Sequence, residues 1–136
     1  MNVDNIFFRK AEHKDRDQIA GVLLDFYNME NAEEALRTFE TEANKDFHYI
    51  VAMENEKIIG LVTWIMHGLP KHGLFELDRI CLLSGSRGKG VGKKLIDVLI
   101  DDARTWYERN GAVIRKLYLL THEANTNAHI FYEKVG

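Results

Sequence analysis

The sequence predicts a single domain of the α/β or α+β class. Three observations point there. The chain has 136 residues of which 46% are apolar, and at that size a fold buries roughly two-thirds of its unfolded surface, enough for one ordinary core. Two β-rich runs, at residues 49–53 and 58–65, are separated by a polar turn of hairpin length, Glu54-Asn55-Glu56-Lys57. A long amphipathic helix starting at Gly90 leads into a further β-rich run at residues 116–120.

Each element has its own signal. Ile6-Phe7-Phe8-Arg9 is a short β-prone run, and from Asp15 the apolar positions Ile19, Val22, Leu23 and Phe26 recur at helical spacing. Residues 32–44 favour a second helix through Ala, Glu and Leu, but Thr38 and Thr41 weaken it, so the expectation is a short or irregular, exposed element. After the hairpin and a loop holding Gly68, Pro70 and Gly73, a strand is expected over about residues 74–83, with Glu76 and Asp78 on one face. In the long helix Val91, Leu95, Val98, Leu99, Ala103 and Trp106 form the apolar stripe, and Asn110-Gly111 supplies its stop. Residues 125–135 read as a last short helix with Ala128, Phe131, Tyr132 and Val135 at helical spacing.

Composition narrows the function. With 18 Lys+Arg against 21 Asp+Glu the net charge is −3, which argues against a general nucleic-acid binder, whose affinity rests on phosphate neutralisation. Asp4 stands where a signal peptide has its cationic region, and no apolar run approaches the roughly 18 residues that span a bilayer. Neither a membrane nor a nucleic acid is an expected partner, and a cytoplasmic location is expected. One cysteine, Cys81, cannot pair within the chain, and the Cys/His spacing of a structural zinc site is missing. No metal is expected.

The segment that carries chemistry is Arg87-Gly88-Lys89-Gly90-Val91-Gly92-Lys93-Lys94, between a predicted strand and the start of the long helix. Glycines let backbone amides approach a ligand, a helix N-terminus offers unpaired donors and partial positive charge, and the cationic side chains here have no acidic neighbour. The natural guest is a diphosphate. A Walker A loop begun at Gly85 needs Lys at the position of Val91, and a dinucleotide fingerprint from Gly88 needs Gly at Lys93, so both readings fail on spacing.

This segment resembles the glycine-rich element of the GNAT acyltransferase superfamily, Gln/Arg-x-x-Gly-x-Gly/Ala, met by Arg87, Gly90 and Gly92. A second element agrees. The superfamily's later Asn, seven residues before a Tyr, is matched by Asn125 and by Phe131-Tyr132-Glu133-Lys134-Val135-Gly136. The predicted order of strand, two helices, hairpin, strand, long helix, strand and helix is similar as well, which implies a mixed central sheet flanked by helices over the whole chain, residues 1–136. Relatives continue into one or two more strands. The expectation is therefore that the last strands are truncated or completed by a partner chain, and a homodimer fits both.

The resemblance implies acetyl-CoA as co-substrate. Backbone amides of Gly88, Lys89, Gly90, Val91, Gly92 and Lys93, with Arg87, hold the pyrophosphate on that reading, the strand edge at Ile80, Cys81 and Leu82 bonds the pantetheine arm like an added strand, and Asn125 contacts the same molecule. Tyr132 matches the position whose hydroxyl protonates the departing thiolate, with a core aromatic beside Phe131 as the plainer reading. For the base, Glu76 lies where many relatives place a carboxylate acting through water. Asp78 shares its face, and His122 and Glu123 are further choices because Leu120 occupies a position that is acidic in some relatives. The plainer reading of Glu76 is an exposed strand carboxylate, and that of Cys81 is core packing.

Direct acetyl transfer to a primary amine of a small molecule or peptide is thus the expected activity. The alternative is a non-catalytic CoA-binding or protein-interaction module of the same fold. Residues 29–46 hold Glu30, Glu33, Glu34, Glu40, Glu42 and Asp46 against Arg37 and Lys45, which favours a cationic acceptor by charge complementarity; the plainer reading is a solvated helix face.

Overall fold

A computed structural model describes residues 5–27, 31–43, 45–88 and 90–119. Strand β1 (Ile6–Lys10) is followed by α1 (Arg16–Tyr27) and α2 (Ala32–Ala43), then β2 (His48–Glu54), β3 (Lys57–His67), β4 (Leu74–Leu82), α3 (Val91–Arg109) and β5 (Lys116–Leu119). The sheet order is β1-β2-β3-β4-β5, antiparallel up to β4 and parallel between β4 and β5. This is the expected mixed sheet. The expected last helix, residues 125–135, lies outside the described residues.

The hairpin closes through Asn55 and Glu56, both at positive φ (51° and 68°), with Glu54 paired to Lys57. Two central residues of that hand match the twist of the strands they join. Residues 58–64 of β3 are all buried, because helices cover both faces of the sheet. On one face Val91, Leu95, Leu99, Ala103 and Tyr107 of α3, four apart, pack on Ile50, Val62, Trp64, Phe75, Leu77 and Leu117. On the other, Ile19, Val22 and Leu23 of α1 and Ala35 and Phe39 of α2 pack on Tyr49, Val51, Leu61 and Cys81.

The second helix is regular, not the short or irregular element expected, and it buries Ala35 and Phe39. Two side chains explain this. Asn31 accepts the Glu34 amide at 2.9 Å, capping the first turn. Thr38 donates its hydroxyl back to the Glu34 carbonyl at 3.0 Å, so its oxygen is satisfied inside the helix. The expected stop of α3 is present: Gly111 sits at φ 72°, and the Ala112 amide reaches the Tyr107 carbonyl (2.8 Å) while the Gly111 amide reaches Glu108 (3.1 Å), the paired bonds of a Schellman turn.

Under the first turns of β2 a charged and aromatic cluster closes the core. His48 stacks on Trp64 with ring centroids 4.0 Å apart, and Asp102 accepts from both the Trp64 indole (2.9 Å) and Lys10 (2.7 Å). Burial, then the nearby Lys10 ammonium, push the His48 imidazole down to about 4. The unfolded chain takes up that proton near pH 6.5, so below that value the unfolded state binds more protons than the folded one. Stability should be complete above about pH 6.5 and should fall as the pH is lowered toward about 4. Urea unfolding at about pH 7 and about pH 5 should show this loss, smaller in His48→Gln. An unchanged pH slope in that variant would assign the loss to other groups.

Candidate functional site

Strand β4 ends at Leu82, a tight turn follows, and α3 begins at Val91 with Gly90 as its N-cap. Gly88 and Gly90 have φ of 76° and 81°, the left-handed region that glycine enters without strain. A Cβ at either would meet nothing within 4 Å, so the backbone here faces open space. The first intrahelical bond runs from the Lys94 amide to the Gly90 carbonyl at 3.3 Å. The amides of Val91, Gly92 and Lys93 therefore precede the helical ladder. No side chain caps this end and its first turn holds no acid. At Gly92 a Cβ would stand 3.6 Å from Leu82 and 3.7 Å from Ile80, ordinary contact distances that set the first turn of α3 against β4.

Arg87 does not extend into that space. Its Nε donates to the Leu82 carbonyl at 3.2 Å, its guanidinium lies over the Phe26 ring at 5.2 Å, and Nη2 is 3.9 Å from Asp25. Asp25 also accepts the Ser84 amide at 3.2 Å. The end of α1 thus clamps the turn, and Arg87 serves as an anchor within it.

β5 pairs with β4 from Leu74 to Leu77. Beyond that point, residues 78–82 of β4 have no strand partner on this side among the described residues. The same place carries a bulge: Thr63 pairs with Arg79 and Trp64 with Leu77, leaving Asp78 unopposed. Such an extra residue bends a strand and interrupts its pattern. Ile80 and Leu82 pack against the α3 cluster, while Cys81 is fully buried toward α1. Burial pushes the Cys81 thiol up to about 11, which keeps it protonated and fits packing rather than nucleophilic chemistry.

Glu76 and Asp78 share the face away from α3, as expected, but Glu76 is buried, which removes the exposed-strand reading. Its carboxylate meets His67 Nε2 at 2.5 Å. Asp78 accepts the Thr63 hydroxyl at 3.3 Å. Next to it Arg79 forks onto Glu42 with two contacts of 2.9 Å, donates to the Tyr49 hydroxyl at 3.3 Å and lies over the Tyr27 ring at 5.5 Å. Burial, then the hydrogen bond to Glu42, hold the Tyr49 phenol above its ordinary range. The acidic segment is consequently less free than its composition suggests, because Glu42 is paired with Arg79 and Glu40 with Arg16 at 3.0 Å.

A family model described as acetyltransferase (GNAT) family matches residues 15–136. The chain belongs to the GNAT acetyltransferase family. By structure it is similar to a GNAT-family acetyltransferase from Desulfovibrio desulfuricans, at 20% identity and TM-score 0.73, covering 96% of this chain and 84% of that one. It is also similar to a ribosomal-protein-alanine N-acetyltransferase from Brucella melitensis biovar Abortus 2308, at 22% identity and TM-score 0.70, covering 96% and 90%. A third match is AAC(6')-Iy in complex with the bisubstrate analog CoA-S-monomethyl-acetylneamine, at 18% identity and TM-score 0.70, covering 96% and 89%. No curated relative matches the chain by sequence.

Of the residues singled out from the GNAT resemblance, Ile80, Cys81, Leu82, Arg87, Gly88, Gly90, Val91, Gly92 and Lys93 adjoin one another around the α3 start, and Glu76 stands farther along β4. Lys89, Asn125 and Tyr132 lie outside the described residues, as do Leu120, His122 and Glu123. The sequence did not single out Arg79, Tyr49, Tyr27 or His67. Strict alternation from Glu76 and Asp78 turns Arg79 to the α3 side, and only the bulge brings it round to Glu42. Because the Arg79–Glu42 pair is largely shielded from water, removing one partner strands the other charge. Glu42→Ala should lower stability by roughly 2–3 kcal/mol, read by urea unfolding, with Glu42→Asp less affected; equal stability of Glu42→Ala and wild type would show the pair contributes nothing.

Proposed function

We propose that this protein is an acetyl-CoA-dependent N-acetyltransferase that moves the acetyl group directly to a primary amine of a small molecule or peptide. The observation that carries this reading is the uncapped, acid-free start of α3 opening onto empty space. The two parts of the co-substrate fit separately. The amides of Gly88 and of Gly90 to Lys93, with the exposed Lys93 ammonium, suit a diphosphate, the more so because the first turn of α3 holds no acid. The backbone edge at Ile80, Cys81 and Leu82 suits an amide-bearing arm that bonds as an added strand. Lys89 and Asn125 are assigned to the same molecule from the family resemblance.

Bound acetyl-CoA supplies the activated acyl group as a thioester. The chain's own residues must then free the acceptor amine of its surplus proton and supply one to the thiolate. Glu76 is assigned a part in the first task, and Tyr132 the second by its match to the family motif. AAC(6')-Iy with its CoA-linked analog supports an amine acceptor on this fold. Charge supports a cationic one: Glu33 and Glu34 remain exposed in the first turn of α2, though Glu40 and Glu42 are committed to ion pairs.

Thiol release measured over a panel of polyamines, amino sugars, peptides and acidic amines tests this. The expected result is turnover with at least one amine, fastest among cationic acceptors and slowed by salt. Binding of acetyl-CoA without thiol release above background on any acceptor would favour the non-catalytic module. In the same experiment Gly90→Glu should abolish acetyl-CoA binding by calorimetry, since its side chain enters the open space above the amides and brings negative charge there. Unchanged affinity in the folded variant would remove the turn from the binding site.

A further inference from the structure

The Glu76 side chain is 5% exposed and the His67 side chain 39%, so the carboxylate is sealed from water while the imidazole in contact with it is not. His67 ends β3 and shares the Glu76 face, because Ile65 is the cross-strand partner of Glu76 and side chains alternate. Its ring lies against Tyr118, centroids 5.6 Å apart, and Tyr118 is in turn the partner of Glu76 across β5. One ring nitrogen is held by a buried carboxylate and one ring face by a phenol. The rest is open.

We infer that His67 takes the proton released by the acceptor amine, with Glu76 as the positioning residue that acts through it. This rests on the acetyl-transfer reading above. When Nε2–H donates to Glu76 Oε1, the lone pair of the neutral imidazole is left on Nδ1, and the carboxylate stabilises the imidazolium formed when Nδ1 is protonated. A buried carboxylate alone has no route for passing its proton on, and His67 is the partly exposed group that touches it. The location agrees. From the diphosphate site at the α3 start, an arm laid along β4 from Leu82 back to Asp78 covers four strand steps, about 13 Å, and its reactive end arrives beside the last β4–β5 pairs. The amine nitrogen forms a bond to the acetyl carbon as the carbon–sulfur bond breaks. Its surplus proton goes to His67 and on to water, and the thiolate leaves with a proton from the acid.

The test compares wild type, His67→Gln, His67→Ala and Glu76→Gln in thiol release with the best amine of the panel, with acetyl-CoA affinity by calorimetry as the check on folding. Both His67 variants should lose about 10²-fold or more in kcat, with acetyl-CoA affinity unchanged. Added imidazole should restore part of the His67→Ala turnover and none of that lost in Glu76→Gln. His67→Gln within a few-fold of wild type, or His67→Ala indifferent to imidazole, overturns the assignment and leaves His67 a structural partner. If wild type itself releases no thiol with any amine, the acetyl-transfer reading falls and this one with it; if wild type is active and only the His67 results fail, that reading stands.

Discussion

Between Asp78 and Leu82 the backbone of β4 meets two demands that ordinarily conflict. Its faces are covered, by α3 on one side and α1 on the other, while its edge toward β5 is unpaired among the described residues. The bulge at Asp78 reconciles the demands. It turns the strand, keeps Ile80 and Leu82 under α3, and holds Cys81 under α1. The glycine turn, the seat of α3 and the position of the acidic face all follow from that one displaced residue.

The end of α1 and the end of α2 answer this arrangement from above. Asp25 holds Ser84 and stands near Arg87, while Tyr27 and Glu42 hold Arg79. Two arginines on either side of the open edge are thus tied by carboxylates and aromatic rings of the same helical layer. Fixed in this way, both guanidiniums are committed to the helical layer, and the donors left exposed at the start of α3 are backbone amides. Helix-end amides need no reorganisation when an anion arrives, which is an advantage long side chains lack.

How much of this was legible in the sequence depended on the range of the interaction. The long helix was, since Val91, Leu95, Leu99 and Ala103 recur at one period and Gly111 ends it; the hairpin was, since its turn is local. The glycines at 88 and 90 were legible as a turn before the long helix, and the structure gives both positive φ. The second helix was misjudged because the cost of Thr38 was read without the Glu34 carbonyl that satisfies it. Arg79 and His67 were not read at all. Their partners lie 37 and 9 residues away, and a bulge, which shifts every later side chain to the other face, leaves no mark in composition.

That same shift explains why one strand can carry both a core and a charged surface. An unbroken alternation along β4 would send residues 76, 78, 80 and 82 to one face and 75, 77, 79 and 81 to the other. Arg79 would then point into the α3 core, where an unpaired guanidinium is prohibitive, and Ile80 and Leu82 would stand on the acidic face. With Asp78 set out of step, the apolar side chains return to the core and the charged ones gather opposite Glu42 and Thr63. The irregularity is therefore a requirement of the sequence and not a defect in the strand. A regular pairing of β4 with β3 would bury the Arg79 charge under α3, so the core's demand for apolar contacts and the placement of the charged side chains opposite Glu42 are met by the same residue.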